Sequence, residues 1–193
     1  MKKLCVAGLA FFSIISAQGQ NASFGIKAGY NSSRIRVNNT ENWDSRSGVH
    51  IGALAHIHVT SHFAVQPEVM YSSQGGEHPN TKSKLGYINV PVLLQYMIKD
   101  GFRLQTGPQI GFLVSAKNET DGVEIDVMDR LNRIDISWSV GAGYLFSSGF
   151  GIDVRYNIGL NNISDEQGIT VKNKVLQAGL FYQFNKTKTV KKK

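Results

Sequence analysis

The chain has 193 residues and a formal charge of +7, but the charge is not spread over a folded body. Two of the 21 basic residues are Lys2 and Lys3 and five are Lys186, Lys188, Lys191, Lys192 and Lys193, leaving 14 basic and 14 acidic residues between Gln20 and Asn185. A neutral body argues against nucleic acid as a partner, and the lone cysteine, Cys5, leaves the chain after it without disulfide, thiol nucleophile or thiolate metal ligand.

Lys2-Lys3, an apolar run from Leu4 to Ile15 and the small residues Ser16, Ala17 and Gly19 have the form of a cleavable export signal, residues 1–19, with the mature chain starting at Gln20. Removing 19 of 193 residues leaves about 174, the size of one domain. No later apolar run approaches the roughly 20 residues that a spanning helix needs. Entry into a membrane would therefore have to be as a closed barrel.

From there the pattern alternates with period two, the signal of half-buried strands. The first predicted strand covers 24–35. The second alternates Val49, Ile51, Ala53, Ala55, Ile57 and Val59 with His50, Gly52, Leu54, His56 and His58. The third sets Phe63, Val65, Pro67, Val69 and Tyr71 against Ala64, Gln66, Glu68, Met70 and Ser72. A fourth covers 85–98. The fifth runs from Phe102 to Val114 with Arg103, Gln105 and Gln109 on its second parity; the sixth covers 134–146. The seventh, Phe150 to Leu160, carries Asp153, Arg155 and Asn157 on that parity, and the eighth covers 174–184. Tight turns are expected at 60–62, 99–101 and 147–149, and long polar connections at 36–46, 74–83, 117–133 and 161–173, with one helical turn within 127–133. Long and short connections alternate strictly. An up-and-down barrel then has every long loop at one rim and every short turn, with both termini, at the other, as outer-membrane barrels do.

The two parities decide which way the barrel faces. One is almost free of charge within the strands; the other carries Lys27, His50, His56, His58, Gln66, Glu68, Arg103, Gln105, Gln109, Asp135, Asp153, Arg155 and Asn157. Packing these into a dry core would cost several kcal/mol for each unpaired charge. The apolar parity should face lipid and the polar one a narrow lumen. Heights counted from the short-turn rim suggest a structural cluster of Lys27, Glu68 and Arg155, with Asp153 and Arg103 lower down. Phe63, Tyr96, Phe102, Phe146, Phe150 and Phe184 should form an aromatic girdle at the short-turn rim.

Catalytic and cofactor signals are weak. His56 and His58 make half a zinc site, so lining the lumen is the favoured reading and no metal is expected. Gly141-Ala142-Gly143 does not open a helix and supports no phosphate cradle. No nucleophile has a distinctive context, so neither catalytic residues nor a cofactor are expected. The acidic stretch 117–133 lacks EF-hand spacing and reads as a solvated surface loop, where binding function usually resides.

Tyr87-Ile88-Asn89-Val90-Pro91-Val92-Leu93-Leu94-Gln95-Tyr96, Gly107-Pro108, Gly141-Ala142-Gly143-Tyr144 and Asp153-Val154-Arg155-Tyr156-Asn157, in this order, resemble the PorT-like outer-membrane β-barrel family of Bacteroidota. The resemblance implies an outer-membrane, eight-stranded barrel over the mature chain. The family includes a secretion-system component, a role that does not carry over. The chain departs from it in running past Phe184 into a basic tail, 186–193, which could meet a periplasmic partner.

The expectation is thus an all-β, eight-stranded antiparallel up-and-down transmembrane barrel over residues 20–185. Its partners are outer-membrane lipid, the barrel-assembly machinery and a protein in the membrane or periplasm. The favoured role is structural or binding, through extracellular loops, with both termini periplasmic and the lumen plugged. The alternatives are an accessory of a secretion or transport assembly and, last, a barrel-embedded lipid-modifying enzyme.

Overall fold

The computed structural model describes residues 22–38, 41–98, 101–166 and 168–184. The expected export signal, 1–19, and the expected periplasmic tail, 186–193, lie outside the described residues.

Ten strands are present among the described residues, and eight of them are long: β1 (Ala22–Val37), β3 (Asp44–His58), β4 (Phe63–His78), β5 (Thr81–Met97), β6 (Phe102–Thr120), β8 (Ile134–Leu145), β9 (Phe150–Gly159) and β10 (Val171–Gln183). Each pairs antiparallel with its neighbour in chain order, and β10 pairs with β1 along thirteen residues, from Gly25↔Gln183 to Val37↔Val171. That last ladder closes the sheet and removes its edges. The short strands β2 (Glu41–Asn42) and β7 (Val123–Asp126) fold back on β1 and β6, and one turn of 3₁₀ helix follows at Met128–Arg130.

Period-two sequence becomes two-faced strands. On β9, Gly151, Asp153, Arg155, Asn157 and Gly159 are buried while Phe150, Ile152, Val154, Tyr156 and Ile158 are exposed. The same inversion runs round the sheet, with Ile51, Val69, Leu104, Ile136 and Leu180 exposed on the outside. Burying polar groups and exposing hydrocarbon is unfavourable in water and favourable in lipid, where a closed sheet leaves no backbone group unpaired.

The connections differ from expectation at the long-loop rim. The polar stretch 74–83 is not a loop: β4 and β5 continue through it, pairing Glu77↔Lys82 and His78↔Thr81 across Pro79-Asn80. Likewise β6 runs on to Thr120 and turns at Asp121-Gly122 into β7. Both turn residues have positive φ, 52° and 82°, the requirement of a two-residue hairpin turn with the right twist. A spanning strand needs about 9–11 residues, whereas β6 has 19 and β5 has 17. The excess stands beyond the apolar band. On β6 a bulge opposite Gly86 and Tyr87 turns Val114 and Ser115 both outward, which brings Ala116 inside beside Leu113.

Candidate functional site

The lumen is layered along the barrel axis. Near its middle stands an ion cluster. Arg155 donates two hydrogen bonds to Glu68, from Nη1 to Oε2 at 3.0 Å and from Nη2 to Oε1 at 2.8 Å, in the fork geometry that suits a carboxylate. Asp153 bridges the cluster, ion-paired to Lys27 Nζ and 3.5 Å from Arg155 Nη2. Gln66 donates to Glu68 Oε1 at 2.7 Å and Gln105 to Asp153 Oδ2 at 3.2 Å, while Asp153 Oδ1 accepts no hydrogen bond from a described residue. All four charged side chains are almost completely buried. Lys27, Glu68 and Arg155, expected at one height, are linked through Asp153, expected lower down beside Arg103 but found among them. Asp153 stands there because β9 pairs with β10 and brings it opposite Gly179, whose missing side chain leaves room. Arg103 stands apart: it donates weakly to Gln95 at 3.4 Å, and its guanidinium lies 5.4 Å from the centre of the Phe181 ring. The Phe181 ring itself covers Gly151 on the paired strand.

Toward the long-loop rim follows an amide and hydroxyl layer. His50 Nδ1 is 2.7 Å from Asn31 Oδ1, which also accepts from Gln177 Nε2 at 3.0 Å. Gln177 accepts in turn from Asn157 at 2.8 Å, and Asn157 from Ser139 at 2.6 Å. Above this, Ile35, Leu85, Tyr87, Leu113, Ala116, Val127 and Ile163 make an apolar cap inside the mouth. The sequence reading missed this cap, because Val127 and Ile163 belong to connections and Ala116 is turned inward by the bulge.

Each mouth holds a recess. The one at the short-turn rim, about 370 Å³, is lined by Ser23, His56, His58, Arg103, Gln183 and the turn residues. His56 and His58 meet edge to face at 4.6 Å, and among the described residues no group of three metal-ligating side chains forms. The recess at the long-loop rim, about 260 Å³, is walled by Val37, Trp43, Leu131, Ile169 and Val171 with Arg130 and Glu166 among them.

On the outside, Phe63, Tyr96, Phe102, Phe146, Phe150 and Phe184 are all exposed at the short-turn rim. Phe63 lies 5.2 Å from Tyr96 across β4–β5. Tyr144 and Tyr182, absent from the expected set, fill the gaps: Tyr144 against Phe146 at 4.9 Å, and Tyr182 between Phe150 and Phe184 at 4.8 and 5.5 Å.

A closed antiparallel barrel with charge within and hydrocarbon without defines the class of transmembrane β-barrels. The family model described as "Outer membrane protein beta-barrel domain" matches residues 16–165, and the chain belongs to that family and to the outer membrane. Among solved structures it is similar to the Neisserial surface protein A, at 16% identity and a TM-score of 0.62 over 84% of this chain and 99% of that one. It is also similar to Ail, the attachment invasion locus protein of Yersinia pestis, at 20% identity and a TM-score of 0.52 over 85% and 99%. At such identities the likeness is one of fold. No curated protein sequence matches.

Proposed function

We propose that this protein is a non-conducting outer-membrane barrel that works by binding through its long loops, which face the cell exterior while both termini face the periplasm. The observation that carries this reading is the succession of filled layers across the lumen: a buried ion cluster, an amide layer and an apolar cap. An eight-stranded barrel is just wide enough for its side chains to fill, and the fork of Arg155 on Glu68 ties β9 to β4 across the lumen. On the loop side of these layers a recess stays open, where Trp43, Leu131 and Ile169 offer apolar contact beside Arg130 and Glu166. Loops held by a rigid scaffold are the usual place for recognition. The reading assigns the chain no catalytic chemistry. An accessory role in a secretion assembly rests on the PorT-like strand motif alone, and crosslinking in cells followed by identification of captured partners separates it from loop binding.

Planar-bilayer recording of the purified barrel tests the plug. Insertion without steady openings is expected; stable currents on the nanosiemens scale would overturn it.

A further inference from the structure

Toward the long-loop rim, the outer wall becomes cationic at the β1–β10 seam. Where β1 meets β10, the outward column of β1 passes from Phe24, Ile26 and Tyr30 to Arg34 and Arg36, and that of β10 from Phe184, Leu180 and Leu176 to Lys174 and Lys172. The register places Arg34 opposite Lys174 and Arg36 opposite Lys172. Like charges directly opposed across two strands repel. The side chains of Arg34 and Lys174 form no ion pair with a described residue. On β5, by contrast, Lys84 meets Glu119 and Glu124, and Lys82 stands opposite Glu77 and Glu119.

Between them lies a shallow groove of about 240 Å³ lined by Ser32, Arg34, Ser45, Tyr156, Lys174 and Leu176. Among the described residues, two cations and three hydroxyls border it and no carboxylate does. Its height is informative. Arg34 is ten residues above Phe24, and Lys174 ten above Phe184, two aromatics joined by a backbone hydrogen bond of 2.8 Å at the short-turn rim. Ten residues rising roughly 3.3 Å each at a tilt of roughly 40° climb about 25 Å, the height of the apolar band of such barrels. The groove therefore opens toward lipid at the level of the headgroups, in the leaflet on the long-loop side.

We propose that this groove holds the phosphate of a phosphorylated outer-leaflet lipid. Arg34 and Lys174 pair with the phosphate oxygens, the hydroxyls of Ser32, Ser45 and Tyr156 are its hydrogen-bond donors, and Leu176 meets the start of an acyl chain. The proposal rests on the membrane reading of the outer wall, and its outer-leaflet assignment on the long loops facing out; the test does not depend on orientation, because a nanodisc offers lipid at both rims.

The test uses the mature chain in nanodiscs of neutral phosphatidylcholine, with incorporation checked first by size and circular dichroism. Doped lipid A is counted by native mass spectrometry, and thermal unfolding is followed in parallel. Wild type is expected to retain lipid A and unfold at a higher temperature with it. Arg34→Gln/Lys174→Gln should bind it at least about tenfold more weakly, as loss of two charge-assisted contacts implies, while Lys82→Gln binds as wild type. Dephosphorylated lipid A should behave toward wild type as lipid A does toward the double variant, and inorganic phosphate should have no effect. Equal retention by the double variant, or of the dephosphorylated lipid, would overturn the proposal. Equal stabilisation by millimolar inorganic phosphate would replace the lipid with a free anion. Failure to enter nanodiscs at all would instead refute the membrane reading.

Discussion

At the scale of single residues, the lumen cluster is a set of charges that only their partners make tolerable. Glu68 and Arg155 are held by two short hydrogen bonds in a fully buried site. Removing one partner leaves an uncompensated buried charge, so Glu68→Gln should cost about 3–5 kcal/mol. Glu68→Gln/Arg155→Gln should recover part of that loss. Urea unfolding in lipid vesicles measures both, and a Glu68→Gln change within about 0.5 kcal/mol, the range of an ordinary surface substitution, would contradict the network. Close packing makes a second prediction. A Cβ on Gly151 would lie 2.1 Å from the Phe181 ring. Gly151→Val should therefore destabilise by about 1–3 kcal/mol through overpacking. In a Phe181→Ala background the same change should be much less harmful, and additive losses in the double-mutant cycle would contradict the stacking. The charged members of the cluster were legible in the sequence because parity and height are. Their partners were not: which carboxylate each cation takes depends on inter-strand stagger, and this left Arg103 beside Phe181 and moved Asp153 to the centre.

At the scale of elements, the eight strands could be read from period two, and the overhangs could not. Gln74 to His78 and Thr81 to Lys84 are polar on both faces, and such stretches look like loops when burial is the only guide. Asp121-Gly122 was a readable signal, since that dipeptide between two extended runs is a strong mark of a hairpin. The β6–β7 hairpin it makes is held to β5 by ion pairs of Lys84 with Glu119 and Glu124, at 2.5 and 2.7 Å, and is tied within itself by Lys117 to Glu124 at 2.9 Å. Hydrogen bonds from Lys84 and Lys117 hold the Glu124 carboxyl down at about 2, and that from Lys84 lowers Glu119; donating to both glutamates raises Lys84. A carboxylate with a depressed pKa stabilises the hairpin above its ordinary value of 4.5, and that contribution fades as pH falls toward its folded value. A raised lysine stabilises below 10.5 and loses its effect as pH rises through the folded value. Hydrogen-exchange protection of residues 117–126, corrected for intrinsic rate, should thus be flat from about pH 5 to 10, falling below about 4.5. Lys84→Gln should weaken the acid-side decline. Unchanged protection down to pH 2 would count against the ion pairs as the hairpin's tether.

At the scale of the whole molecule, closure and the direction of the faces are one fact. The pairing of β10 with β1 makes a sheet without edges, and the composition of its two faces then decides its solvent. This much was in the sequence, because the two parities differ in charge strand after strand. The layering within the lumen was not, since the apolar cap draws residues from connections and from a bulge that period two does not foretell. Spin labels report the central claim most directly, and the chain after Cys5 has no cysteine to interfere. Single cysteines placed along β6 from Leu104 to Phe112 and labelled in lipid bilayers would be read by oxygen collision, which rises in hydrocarbon. High accessibility should recur at Leu104, Ile110 and Phe112, with low values at Gln105, Gln109 and Gly111. The opposite phase, or no alternation at all, would contradict an apolar wall facing lipid.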